Sequence, residues 1–284
     1  MTVLVTGATG TVGHYLVDHL LALGVTVRCL TRTPEKASFP GGVEVVRGDL
    51  GAPESLDEAF DGVSSAHLIT FAGEDYAPIP DGSAVVGKLL AAGVSRVSLL
   101  KGDSSASLVE EAVFASSLRW TVLAPVEFMA NMLEWTDGVR KGRLEEGFVD
   151  VPSTVVHESD IAKVAARVLV HGGYDNETLW ITGPEALTVR ERVAVIEQVT
   201  GRAVALTELP AAALEAQWTA YGFSADDVSF MLQMKTNPPE ASRIPRDTVR
   251  RVTGHQPLSF REWVQEHAGV FSNNQPGSRG LPRR

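Results

Sequence analysis

The chain has 284 residues, of which 44% are hydrophobic and 21% are charged, as is usual for a soluble protein of one or two globular domains. Its formal net charge of −10 argues against binding to nucleic acid or to an anionic membrane surface. The sequence shows neither a signal peptide nor an apolar stretch as long as a membrane span, and it has a single cysteine, Cys29. We therefore expect a cytoplasmic protein without an internal disulfide.

The first element predicted along the chain is a buried strand at residues 3–5, which leads into a glycine-rich turn and then a helix. The turn has the pattern Gly-x-x-Gly-x-x-Gly. Glycines at this spacing permit a tight turn, let a diphosphate approach the backbone and let the helix pack closely on the strand. The diphosphate would bind at the positive end of the helix dipole. The predicted dinucleotide-binding residues are Gly7, Thr9, Gly10, Thr11, Val12 and Gly13.

Strands and helices alternate through the first 125 residues. Further strands are predicted at Thr26–Thr31, Val43–Arg47, 65–71, Arg96–Leu100 and 120–124, with helices at 53–61, 82–92 and 106–117. This alternation predicts an α/β fold with a doubly wound parallel sheet of the Rossmann type. Because ligands of such sheets bind at the carboxyl ends of the strands, the loops after the strands are the candidate binding sites.

The end of the second strand bears on the choice of cofactor. Arg32 follows this strand, and no acidic residue occurs between Asp18 and Glu35. NAD sites usually have an acid about twenty residues after the glycines, whereas a guanidinium can bind the additional phosphate of NADP through two parallel hydrogen bonds. We therefore predict NADP(H) as the cofactor, with Arg32 on the 2′-phosphate. The alternative is a solvated arginine in a loop.

The ends of later strands supply the other predicted cofactor contacts. Asp49 either accepts a hydrogen bond from the adenine amino group or starts the next segment as a turn residue, and both interpretations stay open. Leu50, Phe71 and Lys101 also follow or end strands, and we predict that they contact the cofactor.

From residue 126 onward the composition changes to large, soft apolar side chains. Such residues either line a pocket or belong to an ordinary core. We predict a substrate pocket formed by Phe128, Met129, Asn131, Trp135 and Trp218, with residues 211–235 as a lid.

The remaining segments are read from their periodicity and termini. Ser159 or Asp160 is expected to cap a helix, and a strand at 179–182 is expected to return to the main sheet. Helices are predicted at 188–200, 211–235 and 260–271, and the polar segment 272–284 is predicted to be disordered.

Taken together, these motifs resemble those of the NmrA-like group of atypical short-chain dehydrogenases/reductases. The matching segments are Thr6-Gly7-Ala8-Thr9-Gly10-Thr11-Val12-Gly13, Leu30-Thr31-Arg32-Thr33-Pro34, Val46-Arg47-Gly48-Asp49-Leu50, Trp120-Thr121-Val122-Leu123-Ala124-Pro125, Phe128-Met129-Ala130-Asn131, Ser159-Asp160-Ile161-Ala162 and Ile181-Thr182-Gly183-Pro184-Glu185-Ala186-Leu187-Thr188. The resemblance implies an NADP-binding Rossmann core at 1–125 and a smaller, mostly helical substrate lobe at 126–271. Activities in the group include reduction of quinones, dyes, carbonyl compounds and enones, and some members only sense the nicotinamide pool.

The chain departs from the wider superfamily at the proton donor. The superfamily uses Tyr-x-x-x-Lys, in which the lysine lowers the pKa of the tyrosine. None of the four tyrosines is followed by lysine at that spacing; they are Tyr15, Tyr76, Tyr174 and Tyr221. Ala106 stands where tyrosine-lacking relatives often have a lysine or histidine, and Ala124 replaces the arginine of a Leu-Arg-Pro motif.

Two residues are therefore predicted to take catalytic roles. Lys101 follows the fifth strand, where the superfamily normally has a serine, and would lie near the nicotinamide ribose. His157 lies in a segment that resembles the family's substrate-facing loop, so the resemblance implies that it contacts the substrate. Histidine also has the side chain best suited to proton transfer near neutral pH. Both have plainer interpretations, as a solvated lysine and a loop histidine. Asp103, Ser104 and Ser105 in the next loop are further candidates, and water is another possible proton source.

Other chemistries are poorly supported. Ser104 sits in a sequence that faintly resembles a nucleophile elbow, but the final glycine is absent. The seven histidines form no His-x-x-x-His pair and there is one cysteine, so we predict no metal site. Glu110 and Glu111 are adjacent in a predicted helix, which is typical of solvated surface.

The sequence thus predicts an NADPH-dependent oxidoreductase that reduces a hydrophobic quinone, enone or aromatic carbonyl compound, as a monomer or homodimer. It is predicted to bind a small-molecule substrate, and neither nucleic acid nor a membrane. Two other hypotheses stay open: a non-catalytic NADP(H)-sensing regulatory protein, and a non-redox isomerase or cyclase that keeps the nucleotide.

Overall fold

A computed structural model describes residues 1–72, 77–102 and 106–272. The strands in these ranges are β1 (Thr2–Val5), β2 (Thr26–Thr31), β3 (Val43–Arg47), β4 (Ser65–Ile69), β5 (Phe71–Ala72), β6 (Ala77–Pro78), β7 (Arg96–Leu100), β8 (Arg119–Pro125), β9 (Glu127–Phe128), β10 (Arg143–Glu146), β11 (Ser153–Val156), β12 (Glu177–Ile181), β13 (Ala186–Leu187) and β14 (Ala205–Glu208). The helices are α1 (Gly13–Ala22), α2 (Asp57–Phe60), α3 (Gly82–Ala91), α4 (Leu108–Phe114), α5 (Thr136–Arg140), α6 (Glu158–His171), α7 (Val189–Thr200), α8 (Ala211–Ala220), α9 (Ala225–Thr236), α10 (Thr248–Thr253), α11 (Phe260–Glu266) and α12 (Ala268–Ser272). No helix within the described ranges is long and apolar enough to cross a bilayer.

A seven-stranded parallel sheet in the order β12-β8-β7-β4-β1-β2-β3 organises the first part of the chain. Three residues of β1 are fully buried, as expected of a central parallel strand covered by helices on both faces. From β1 the strands β2 and β3 follow on one side, whereas β4, β7, β8 and β12 follow on the other. The carboxyl end of β1 is therefore the topological switch point at which such folds bind ligands. The predicted Rossmann-type α/β fold is confirmed.

The chain divides into two compact units, and each is discontinuous in sequence. The first unit contains Met1–Pro125, Glu158–Ile181 and Thr248–His255. The second contains Val126–His157, Thr182–Asp247 and the described residues from 256 onward. β12 pairs with β8, which places this strand where the segment 179–182 is expected. The division after residue 125 differs from the structure in that α6 and α10 also belong to the first unit.

One face of the sheet is covered by α2, α3 and α4. Their apolar residues form a continuous buried cluster with the strands that includes Leu4, Leu68 and Leu99 from the sheet and Phe60 and Leu89 from the helices. On the opposite face Ser65 Oγ donates a hydrogen bond to the Leu169 carbonyl of α6. Burial of both faces explains why the first-unit strands are apolar almost throughout.

A buried polar pair interrupts this second face. His67 of β4 lies opposite Ser98 of β7 in the strand register, and its Nδ1 is 2.8 Å from Ser98 Oγ. Because the imidazole is completely buried, desolvation lowers the pKa of His67 to about 4. The histidine is therefore neutral near pH 7.

The second unit has its own core and small sheets. β9 pairs in parallel with β11, which pairs in antiparallel with β13, and β10 pairs in parallel with β14. Phe260, Trp263 and Val264 of α11 are fully buried, as the helical spacing of the sequence predicts. Arg192 of α7 is also buried, and its guanidinium contacts Glu127 Oε2 at 3.0 Å.

Several element boundaries differ from the predicted ones. The segment predicted as a helix at 53–61 contains a short 3-10 turn and the brief helix α2. Helix α6 begins at Glu158, so Ser159 and Asp160 lie inside its first turn instead of capping it. The predicted helix 211–235 is two helices, because Gly222 adopts φ +93° and Ser224 caps α9. The helix predicted at 260–271 is also divided, at His267.

Candidate functional site

The glycine turn after β1 is shaped by close backbone approaches. Gly7 adopts φ +62°, a left-handed conformation that favours glycine, and its carbonyl accepts a hydrogen bond from Gly10 N–H at 2.9 Å. A Cβ atom on Gly13 would lie 2.1 Å from the Gly7 carbonyl oxygen and 2.7 Å from the Ala8 Cα. The first residue of α1 must therefore be glycine for this turn to form.

The N-terminus of α1 has the features of an anion site. Neither an N-cap side chain nor an acidic residue in the first turn satisfies its amides. Within the ranges that the structure describes, the backbone N–H groups of Thr11, Val12 and Gly13 have no hydrogen-bond acceptor. Thr9 and Gly10 are exposed beside them, whereas the Val12 side chain is buried, so Val12 offers only its backbone. Unpaired amides at the positive end of a helix are suited to a phosphate group.

Arg32 projects from the loop after β2, and its side chain is exposed. In the described part of the chain, its guanidinium makes no hydrogen bond or ion pair. The Arg32 carbonyl accepts a hydrogen bond from Arg47 Nη1 at 2.7 Å, and Arg47 Nη2 lies 3.0 Å from Glu35 Oε2. The backbone N–H of Glu35 and the Arg47 guanidinium lower the pKa of the Glu35 carboxyl. Arg47 is not among the cofactor-binding residues predicted from the sequence, although it ends β3, the strand next to β2, and a strand end is where such residues are expected.

The loop after β3 places Asp49 in a turn. Asp49 Oδ1 accepts a hydrogen bond from Gly51 N–H at 2.8 Å, which is the geometry of the turn interpretation. The adenine interpretation stays a prediction. The side chain of Leu50 is buried in the first-unit core, so this residue offers a nucleotide only its backbone.

Lys101 and Phe71 come together at the carboxyl ends of β7 and β4. The Lys101 backbone N–H donates to the Leu123 carbonyl at 2.9 Å, which extends the pairing of β7 with β8. A Cβ atom on the next residue, Gly102, would lie 3.2 Å from the Phe71 ring and from Thr70 Oγ1. The ring of Phe71 thus packs directly against the chain beside Lys101.

The Lys101 side chain is paired with a buried carboxylate. Its Nζ lies 3.1 Å from Glu110 Oε1, and Glu110 is only 2% exposed. Glu110 Oε2 also accepts a hydrogen bond from Ser107 N–H at 2.8 Å, as part of a capping box at the start of α4. The predicted solvated surface is therefore wrong for Glu110. The Ser-x-x-Glu spacing of Ser107 and Glu110 was the signal that could have identified it.

Some predicted candidates lie outside the residues that the structure describes. These are Asp103, Ser104 and Ser105, Tyr76, and the end of the chain from residue 273. In the described ranges, no three His, Cys, Asp or Glu side chains are grouped as metal ligands.

In the second unit, His157 follows β11 and is 1% exposed. Its Nε2 lies 3.2 Å from Glu266 Oε2, the carboxylate of a half-exposed side chain at the end of α11. A carboxylate at this distance fixes the orientation of the ring. His157 is thus a positioned side chain and not a solvated loop histidine.

The segment 128–135 contains both core and accessible residues. Met129 is fully buried and Trp135 is 6% exposed, both in the second-unit core, and Trp135 Nε1 donates to Glu146 Oε1 at 2.7 Å. Phe128 and Asn131 are half-buried. The Asn131 amide has no hydrogen-bond partner among the residues that the structure covers. The core interpretation therefore applies to Met129 and Trp135, whereas Phe128 and Asn131 remain accessible to a ligand.

Trp218 lies on α8, where it is half-buried. Helices α8 and α9 bury few residues; Leu214 and Val228 are their buried ones. Tyr221 and Phe230 are exposed large side chains in this region. The structure therefore leaves apolar surface on the segment predicted to act as a lid.

Comparison with known proteins adds a family and several relatives. The model of the NmrA-like family matches residues 1–225. The chain is 34% identical to a (4-alkanoyl-5-oxo-2,5-dihydrofuran-3-yl)methyl phosphate reductase from Streptomyces griseus, over 95% of this chain and 99% of that protein. It is 28% identical to an NAD(P)H azoreductase from Xenophilus azovorans, over 95% of this chain and 99% of the relative.

Solved structures share the fold. An NADPH-dependent quinone oxidoreductase from Escherichia coli, complexed with NADPH, matches with a TM-score of 0.78 and 22% identity, covering 93% of this chain and 99% of that one. A triphenylmethane reductase from Citrobacter sp., complexed with NADP(H), matches with a TM-score of 0.73 and 22% identity, covering 94% and 100%.

Proposed function

The chain belongs to the NmrA-like family, and from this premise we propose that it is an NADPH-dependent oxidoreductase that reduces a hydrophobic quinone, enone or aromatic carbonyl compound. The observation that carries the proposal is the turn at Gly7–Gly13, where three adjacent amides have no acceptor in the described ranges and a Cβ on Gly13 would meet backbone. A diphosphate is the group that this arrangement fits best.

The residues for the rest of the coenzyme lie along the same edge of the first-unit sheet. Arg32 would bind the 2′-phosphate, because its exposed guanidinium is unpaired in the described structure and can donate two parallel hydrogen bonds. Asp49 and the Leu50 backbone would contact the adenine. Phe71 and Lys101 would contact the nicotinamide half of the coenzyme, with the lysine at the ribose.

Reduction of a conjugated carbonyl compound requires a hydride and a proton. A nicotinamide coenzyme held by these residues would supply the hydride for the electrophilic carbon of the acceptor. His157 is the proposed proton donor, since imidazole is suited to proton transfer near neutral pH and Glu266 holds its ring in place. For a quinone acceptor, water at the reduced oxygen can supply the proton instead.

The named relatives support a conjugated acceptor. The Streptomyces griseus protein is named for a ring that combines an acyl group, a ring carbonyl and a double bond. The Xenophilus azovorans relative is named as an azoreductase, that is, for the reduction of an azo group. In this chain, Phe128 offers an apolar ring and Asn131 an amide without a partner in the described residues, a combination suited to a flat acceptor that carries carbonyl oxygen atoms.

The test is a turnover assay with a panel of acceptors. Purified protein is mixed with NADPH and, separately, with quinones, acyl-substituted unsaturated lactones with and without a phosphate ester, an azo dye and an aromatic aldehyde. Loss of the nicotinamide absorbance is followed, and products are identified by mass spectrometry. We expect NADPH to be consumed with at least one conjugated acceptor, and NADH to be used less well.

The alternatives give different results in the same assay. Tight NADPH binding without consumption across the panel would overturn the reductase and favour a sensing protein. Conversion of an acceptor to an isomer without net loss of NADPH would indicate a non-redox enzyme. A protein that binds no NADPH would overturn all three hypotheses.

A further inference from the structure

We propose that Glu110 is a positioning residue for the reaction, which holds the Lys101 ammonium at the carboxyl end of β7. This inference rests on the proposed function, because it assumes that Lys101 contacts the coenzyme. The proposed residue lies on α4 and not in a strand-end loop, at a position predicted from the sequence to be solvated surface.

The pairing is unusual for a lysine at a strand end. Most lysines extend into solvent, but Lys101 has a side chain only 20% exposed, and its Nζ lies 3.1 Å from a carboxylate whose side chain is 3% exposed. Two charges in such surroundings lose much of their hydration and are stable only when they are paired in good geometry. A neutral side chain in place of Glu110 would therefore remove this negative charge from the surroundings of the Lys101 ammonium.

Glu110 is itself rigidly held. Its Oε2 accepts from Ser107 N–H, and its own N–H donates to Ser107 Oγ at 3.2 Å. The start of α4 is packed tightly against α3, since a Cβ atom on Gly82 would lie 2.2 Å from the Leu108 carbonyl oxygen. The lysine is thus fixed at two places, through its backbone on β8 and through its side chain on α4.

This arrangement divides the two carboxylate oxygens between two tasks. Oε2 completes the helix cap, whereas Oε1 contacts the ammonium. A glutamine can still accept from Ser107 N–H through its single oxygen, because capping boxes accept Gln as well as Glu. Glu110→Gln therefore removes the charge that faces Lys101 and preserves the cap.

A double-mutant cycle tests the proposal. We compare wild type, Lys101→Ala, Glu110→Gln and the double variant for kcat with the best acceptor, KM for the acceptor and Kd for NADPH. Because small displacements of a positioning group can lower rates by up to about a hundredfold, we expect Glu110→Gln to lower kcat or NADPH affinity by roughly tenfold or more. The double variant should be no worse than Lys101→Ala alone, since Glu110 acts through the lysine.

A variant at another capping box serves as the control. Glu191→Gln changes the equivalent glutamate at the start of α7, which faces no proposed site lysine, and it is expected to keep wild-type kcat and Kd. If Glu110→Gln does not fold, Glu110→Asp keeps the charge and withdraws it by one methylene, and the same cycle is run with it.

The outcomes separate this proposal from the proposed function. Additive losses in the cycle, or an unchanged kcat and Kd in Glu110→Gln, would overturn the positioning role while the reductase stands. A wild-type protein that binds NADPH without turnover would overturn the reductase, and the cycle then decides the role of Glu110 from Kd. A wild type without NADPH binding would overturn both.

Discussion

The carbonyl oxygen of Gly7 lies 2.1 Å from the position that a Cβ atom on Gly13 would occupy, whereas the same oxygen is 3.1 Å from a Cβ on Gly10. The two glycines therefore serve different purposes. Gly13 is required for the turn and helix to pack, because the obstacle to a side chain is backbone that cannot move aside. Gly10 is exposed, and the proposed function predicts that a methyl group there would obstruct the diphosphate.

This difference predicts opposite phenotypes for two alanine variants. Gly13→Ala is expected to lower the free energy of unfolding by about 2 kcal/mol or more, since overpacking against backbone forces the chain to shift. Gly10→Ala is expected to stay close to wild-type stability but to bind NADPH at least about tenfold more weakly, equivalent to about 1.4 kcal/mol. Urea unfolding and nicotinamide fluorescence titration measure the two effects. A Gly13→Ala protein with wild-type stability and affinity would contradict this account of the turn.

Arg32 is predicted to select the phosphorylated coenzyme. Arg32→Ala should weaken NADPH binding by roughly ten- to a hundredfold, because a charge-assisted hydrogen bond contributes about 1.5–3 kcal/mol, and should leave NADH binding unchanged. The matched control is Arg119→Ala, which removes an exposed arginine at the amino end of β8, the end of the sheet opposite the strand-end loops. Equal losses for NADPH and NADH in Arg32→Ala would remove the 2′-phosphate assignment.

The buried Arg192–Glu127 pair is predicted to matter more for stability than its exposed neighbour. The Arg192 side chain is 3% exposed, so Glu127→Leu leaves a buried charge without its carboxylate and should cost about 3 kcal/mol or more. Arg190, two residues earlier on α7, pairs with Asp150 at 2.7 Å on the surface, and Asp150→Ala should change the free energy of unfolding only slightly, because exposed ion pairs contribute little to stability. Urea unfolding of both variants compares the pairs. Similar losses of stability in the two variants would show that Ser153, whose carbonyl also accepts a hydrogen bond from Arg192, is enough to stabilise the buried guanidinium.

His67 is predicted to make the protein less stable in acid. Its pKa is about 4 in the folded state and about 6.5 when unfolded, so the unfolded chain binds an additional proton between these values. The free energy of unfolding therefore has its full value, as far as His67 is concerned, above pH 6.5. It falls by about 3 kcal/mol as the pH is lowered toward 4.

The measurement is urea unfolding at several pH values between 7 and about 4.5, the range in which this titration acts. His67→Asn should show a shallower decline than wild type because it cannot bind the proton. Ser98→Ala removes the hydrogen-bond partner of His67 but leaves the imidazole buried, so it should lower stability at every pH and keep the steep decline. An equally steep decline in His67→Asn would assign the acid sensitivity to other groups.

The amino-acid sequence by itself determined the sheet, the glycine turn and the candidate residues at the strand ends. These features follow from local physics: apolar runs form buried strands, glycine permits left-handed turns, and consecutive parallel strands end on one edge. For this reason β2, β3 and β7 have the predicted boundaries.

Only the tertiary structure decided which side chains became partners. His157 contacts Glu266, which is 109 residues away in the sequence. Glu110, predicted to be solvated, is buried and contacts Lys101 at the end of β7. Met129 and Trp135 became core, whereas Phe128 and Asn131 stayed accessible. The Ser-x-x-Glu spacing indicates that Glu110 caps α4, but no local pattern indicates which side chains become partners, because burial and pairing depend on which surfaces meet after the chain has folded back on itself.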